Sequence, residues 1–206
     1  MYNSKYVAKK VYISNMRKRI NSVVRTIVRD IIYIFKKHKN GEFELPEDLP
    51  TEDLVYDFDK LPTSLTISLS LIQDDTINTT DINGEYYVGD DVIVLIIITN
   101  PKKENTLIYE LIGELNEIVR HELEHLIQDY SGYIFPDEEP DEPKEYYTQK
   151  HELKALRKGF KRKSKVMRKD YEFLIREWFE KNKHKHTLSQ EETKFVIDKI
   201  LLELPD

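Results

Sequence analysis

The chain has 206 residues, 34% charged and 39% hydrophobic, with a net charge of −6 and with 13 Tyr and 8 Phe among its aromatics. That is enough apolar material for one domain around a buried core, and too much for a disordered chain. Cysteine is absent, which excludes disulfide staples and thiolate metal sites, so any metal must be held by His and carboxylates.

Residues 1–40 hold eleven Lys/Arg against the single acid Asp30. Apolar residues recur there at Met16, Ile20, Val23, Val24, Ile27, Val28, Ile31 and Phe35, the spacing of one helical face. The pattern predicts one long basic amphipathic helix, or two, ending at Asn40-Gly41. His38 in this stretch reads as solvated. Residues 41–63, acidic and broken by Pro46, Pro50 and Pro62, read as a linker.

The period then changes from helical to alternating. Ser64–Ile72 sets Leu65, Ile67, Leu69 and Leu71 against Thr and Ser, a half-buried strand. Gly84–Val88 and Val92–Thr99, separated by Gly89-Asp90-Asp91, predict a hairpin. Its second arm, all apolar from Val92 to Ile98, should be buried on both faces or nearly so.

A long helix is predicted over 106–130, with Asn105 as N-cap and Ser131-Gly132 as the stop. An acidic loop with Pro136, Pro140 and Pro143 follows. Helical periodicity resumes near Thr148 and should run past Lys169, interrupted near Gly159. This stretch is basic too, with nine Lys/Arg and no acid over 153–169. The two basic blocks read either as arms for a polyanion or, more simply, as helices docked on an acidic body. Further helices carry Phe173, Leu174 and Trp178, then Phe195, Val196 and Ile200. His184-Lys185-His186 reads as a solvated turn.

The chemistry-bearing string is His121-Glu122-Leu123-Glu124-His125. On a helix, residues four apart project from one side, so the two imidazoles can meet one ion. On a helical wheel with His121 at 0°, the apolar positions Leu107, Ile108, Leu111, Leu115, Ile118 and Val119 fall between about 40° and 160°, and Glu122 near 100°. A carboxylate inside the buried arc is costly unless something compensates it. General-base chemistry at a metal accounts for Glu122, whereas amphipathic packing does not. Glu110, Glu114, Glu117 and Glu124 fall outside the arc and read as solvated. Asp129, near 80° on the same wheel by the same geometry, reads either as a hydrogen-bond partner of a ligand His or as a helix-end polar group.

Val119 to Gln128 resembles the active-site helix of the HExxH zinc metallopeptidases, the zincins. The short length resembles small phage- and virus-encoded peptidases. The resemblance covers about residues 65–160 and implies an α+β fold, with a small mixed sheet packed on the HExxH helix. It also implies one catalytic Zn²⁺, Glu122 as general base, and a sheet strand that aligns a peptide or protein substrate. The metzincin pattern fails, because Gln128 and Ser131 stand where Gly and a third His or Asp are needed. A gluzincin-like arrangement draws a Glu from a later helix, and Glu152 in His151-Glu152-Leu153-Lys154-Ala155 fits it. His121, His125 and Glu152 are thus the expected ligands, with His151 as the substitute third ligand. Tyr146 or Tyr147 is a candidate oxyanion donor, although packing is the better reading of either in a chain with 13 Tyr.

The expected organisation is a helix over 1–40, a linker over 41–63, a zincin-like core over 64–170 and a helical segment over 171–206. A non-catalytic zincin-fold structural or virion-associated protein is the competing reading, and a nucleic-acid-associated module ranks last. The basic start carries no leader-like apolar region, and no apolar run is long enough to span a bilayer. The expectation is a cytoplasmic protein, with a virion or host cytoplasm as the alternative. Oligomeric state is left open.

Overall fold

The computed structural model describes residues 4–39, 51–57, 64–77, 80–100, 108–136, 138 and 140–202. It is a mixed α/β structure with one four-stranded sheet.

With neither Gly nor Pro between Ser4 and Lys39, the first helix is unbroken, α1 (Ser4–Lys39). Ile20, Val24, Ile27, Val28 and Ile31 are buried along one side, while Arg17, Lys18, Arg19, Arg25 and Arg29 are exposed on the other. Four strands follow: β1 (Thr51–Tyr56), β2 (Leu65–Gln73), β3 (Asp81–Tyr87) and β4 (Val92–Thr99). Their order in the sheet is β1-β2-β4-β3, with β2 and β4 parallel and both edge strands antiparallel.

The expected linker therefore contains a strand, β1, paired with β2 from Thr51↔Ser70 to Tyr56↔Leu65. Its Thr-Glu-Asp start has no apolar alternation. Edge strands are often short and charged, and pairing rather than pattern makes this one. β4 is central. Ile93, Leu95 and Ile97 are fully buried, whereas Val92, Val94, Ile96 and Ile98 on the opposite face are half-buried. The hairpin between β3 and β4 turns through Gly89 and Asp91, both at positive φ, where Gly is at ease.

The buried face of the sheet carries Ile67, Leu69, Ile82, Tyr86, Ile93, Leu95 and Ile97, and it packs with α1 and α2 (Ile108–Tyr130) into one core. The expected cap Asn105 and wheel position Leu107 lie outside the described residues. The remaining helices are α3 (Pro143–Thr148), α4 (Lys150–Met167), α5 (Tyr171–Lys181), α6 (Lys183–His186) and α7 (Gln190–Leu201).

Contrary to expectation, α4 runs straight through Gly159 and stops at Arg168, which takes a left-handed conformation. Gly159 marks instead a close approach to α2, since a Cβ there would lie 2.9 Å from the Glu117 carbonyl oxygen. A second core gathers Leu153, Leu156 and Phe160 of α4 with Leu174, Ile175, Phe179, Val196 and Ile200. The expected boundary near residue 170 thus runs through a core rather than between two.

His186 is 1% exposed, not solvated as expected. Its Nε2 bonds the Phe179 carbonyl at 2.9 Å and its Nδ1 accepts from the Leu188 N–H at 3.2 Å. The side chains of His38 and His184 lie outside the described residues. Among the described residues no helix is long and apolar enough to cross a membrane.

Candidate metal centre

The site forms where the two cores meet, on the face of α2 that packs on α4. That face carries two helical turns of ionisable side chains, and α4 answers it with charge. Lys163 is buried and reaches Glu117 Oε2 at 3.1 Å and Glu114 Oε2 at 2.5 Å. Arg120 bonds Glu124 at 2.7 Å, and Lys154 lies 3.3 Å from the other oxygen of Glu124. Glu117 and Glu124, expected in solvent, are 5% and 1% exposed. The wheel assumed one buried arc, whereas α2 is covered on two sides, by the sheet and by α4. Desolvation at the second side is tolerable because each acid has a cation.

One turn beyond Glu117, the Nε2 atoms of His121 and His125 stand 3.0 Å apart. Glu152, in the first turn of α4, brings Oε2 to 3.4 Å from His121 Nε2 and Oε1 to 3.2 Å from His125 Nε2. The ligand atoms of these three residues all lie within 4.8 Å of one another. Ala155, fully buried one turn along α4, offers little bulk at this packing.

The donor set suits a divalent ion. Gln128 donates its amide N–H to the His151 carbonyl at 3.0 Å, which turns its Oε1 to His125 Nδ1, also at 3.0 Å. An amide oxygen can only accept, so Nδ1 carries the hydrogen and Nε2 keeps its lone pair for a metal. Nothing in this set discriminates zinc from other divalent ions.

Electrostatics tie these residues together. Burial disfavours a charged His121, but Glu122, Glu152 and Glu117 outweigh it and raise its pKa to about 9. Burial also opposes ionisation of Glu152, yet hydrogen bonds with His121 and His125 prevail and hold its carboxyl well below the usual range. Glu122 goes the other way. Burial pushes its pKa up, a push that Glu152 reinforces and that His121, His125 and the Tyr86 backbone N–H offset only in part.

Glu122 sits against β3. A Cβ on Gly84 would lie 3.3 Å from its Oε1, so glycine leaves the room this carboxylate occupies. Gly84, Glu85, Tyr86 and Val88 line one wall of the cleft, and Phe135, Pro136, Tyr146 and Gln149 the other.

His151 also lines the cleft, with Nε2 3.4 Å from Glu152 Oε1 and Nδ1 3.2 Å from the Tyr133 hydroxyl. Burial lowers its pKa against the pull of Glu152, which keeps the ring neutral near pH 7. Gly132, at φ +81, ends α2, and Tyr133 N–H returns to the Gln128 carbonyl at 3.0 Å. That turn carries Tyr133 and Phe135 back over the site, where the Phe135 ring meets those of His125 and His151.

Two suggested auxiliaries stand elsewhere. Asp129 contacts neither His; it accepts from the Tyr86 hydroxyl at 2.8 Å and the Gly89 N–H at 3.1 Å. Its wheel angle lies in the arc that faces the sheet, so it ties α2 to the hairpin. Tyr147 packs against Trp178, Phe179 and His186 in the second core, and Tyr146 is the one in the cleft.

Gln128, Tyr133 and Phe135 were not anticipated as site residues. Gln128 was legible, three residues after His125 on the same helical face. Tyr133 and Phe135 had no local signal, because a turn and a second helix bring them there. Comparisons with protein-family models, with curated proteins and with solved structures gave no match.

Proposed function

We propose that this chain is a zinc-dependent peptidase with a zincin-like core, holding one Zn²⁺ on His121, His125 and Glu152. The observation that carries the reading is the convergence of two imidazoles from α2 with a carboxylate from α4, beside a second carboxylate, Glu122, that is 5% exposed and reaches the same cleft. A His₂Glu set on packed helices is a recurrent catalytic zinc arrangement. An antiparallel edge strand beside the metal-binding helix agrees with the zincin resemblance of the sequence.

When bound, Zn²⁺ would polarise a scissile carbonyl and lower the pKa of a water. Glu122 takes a proton from the attacking water and passes it to the leaving amine; a carboxyl whose pKa is raised by burial suits that exchange. The neutral imidazole of His151, with Tyr133 on its Nδ1, offers a polar hydrogen at the cleft wall. The outer edge of β3, which no other strand pairs among the described residues, aligns the substrate by backbone pairing. β4, the other strand of the hairpin, is bounded by β2 and β3 and so has no edge to offer. Phe135, Pro136 and Val88 limit water around the bond being broken.

The test is Glu122→Gln on a peptide that the wild type cleaves. The variant should keep its zinc by elemental analysis and lose about 10² or more in turnover, the usual worth of a general base. Turnover equal to wild type would exclude the mechanism.

A further inference from the structure

The C-terminal helices reach the sheet through a contact that the peptidase reading leaves unused. Lys185 of α6 donates to Asp81 Oδ1 and, at 3.0 Å, to Asn83 Oδ1, both on β3. Side chains alternate along a strand. Ile82, Gly84 and Tyr86 face the core and α2, so Asp81, Asn83 and Glu85 belong to the opposite face.

α6 follows α5, which packs on α4, and α4 packs on α2, on the core side of the sheet. Coming from one side of the sheet and ending on side chains of the other, the Lys185 side chain crosses the free edge of β3. Gly84 and Tyr86, on that same edge, line the metal cleft. At about 3.3 Å per residue, the crossing lies within roughly 10 Å of Gly84.

We infer that Lys185 closes the substrate groove along β3 at its Asp81 end and makes the site selective for peptides with a short free C-terminal tail. This rests on the peptidase reading and on edge pairing with β3. A strand added to that edge in the commoner antiparallel sense runs opposite to β3, from the hairpin end toward Asp81. Its C-terminal end therefore arrives at Lys185.

Beyond Asn83 the edge is blocked, so a long tail must displace the lysine. A short tail ends against it. An ammonium has three donors, of which Asp81 and Asn83 take two. The third is placed for a terminal carboxylate, a charge-assisted contact that an amide would not repay equally. On the Val88 side no such crossing occurs among the described residues, and substrate length there is unrestricted.

The experiment uses zinc-loaded full-length protein and two peptide series built around one cleaved bond. One series is lengthened stepwise on the C-terminal side and the other on the N-terminal side, each as free acid and as C-terminal amide. Wild-type kcat/KM should fall about tenfold or more as the C-terminal tail grows, and again on amidation of the shortest tail, the scale of one lost charged hydrogen bond. N-terminal extension should have little effect.

Lys185→Ala should accept long tails and lose the preference for acid over amide, and Lys185→Arg should restore both. A wild type indifferent to tail length, or a Lys185→Ala variant with the wild-type profile, overturns the inference while the peptidase reading stands. Restriction on the N-terminal side overturns it as well. A zinc-loaded wild type that cleaves none of the peptides sinks the peptidase reading and this inference with it.

Discussion

At the scale of single residues, the centre depends on which nitrogen carries a hydrogen. Gln128 holds His125 in the tautomer that leaves Nε2 available, and groups that orient metal ligands are worth about 10- to 100-fold in affinity. Gln128→Leu should therefore weaken Zn²⁺ binding by about that factor with the fold intact, as read by competition with a chelator. Affinity unchanged in that variant would remove Gln128 from the site. His121 adds a pH dependence. Its pKa, raised to about 9 from an ordinary 6.5, would make the proton a competitor of the proposed metal. Apparent Zn²⁺ affinity should climb about tenfold per pH unit through this window and level off above its top. The metal-free protein behaves oppositely. The charged His121 favours the folded state fully below 6.5, and that contribution is lost as pH rises through about 9. Chelator competition and thermal melts across the window check both signs. The histidine pair and Glu122 were legible in the sequence because four-residue spacing and a misplaced carboxylate are local facts. The role of Asp129 was not, since choosing between a ligand His and the hairpin needs to know what lies above that face.

At the scale of elements, α2 is the organising piece, buried against the sheet on one side and against α4 on the other. Its acids are internal because α4 supplies Lys163 and Lys154, and this is where part of the basic block over 153–169 goes. Arg162 and Arg157 also dock, on Asn116 of α2 and on the Ile200 carbonyl, whereas Lys165, Arg168 and Lys169 are exposed, so the docked-helix reading holds for only part of the block. Gly159 controls the spacing. With a Cβ 2.9 Å from backbone oxygen of α2, Gly159→Ala must push the helices apart. It should cost about 1–3 kcal/mol, the usual penalty of overpacking, and weaken the proposed zinc binding as well, because the proposed ligands lie on both helices. Urea unfolding and metal titration measure the two effects. A variant as stable as wild type would mean that the helices can slide without cost. The sequence marked Gly159 as an interruption because isolated glycine lowers helix propensity; packing against α2 reverses its meaning. The long α1 was readable from its uninterrupted apolar stripe, whereas β1 was not, because a charged edge strand owes its existence to its neighbour.

At the scale of the molecule, two cores share one polar seam. The first holds the sheet, α1 and α2, the second α4, α5 and α7, and the proposed metal would join them through His121 and His125 on one side and Glu152 on the other. Removal of the ion should therefore lower the melting temperature of the whole chain. A ligand present at 100 times its dissociation constant adds about 2.7 kcal/mol to the folded state. Calorimetry with and without chelator tests this, and a melting temperature insensitive to chelator would mean that no ion is bound across the seam.

What the sequence by itself determined is what repeats within a few residues: the helical stripe of α1, the alternation of β2, the hairpin, and the His-Glu-His face of α2 with its buried carboxylate. Periodicity and spacing are properties of one element and survive without its neighbours. Only the tertiary structure decided which acids are buried, that β3 rather than β4 offers a free edge, where Asp129 and Tyr147 turn, and that Glu152 meets the two imidazoles. Each of those depends on what a second element brings to the first, and a residue's burial and charge partners exist only once the two surfaces are in contact.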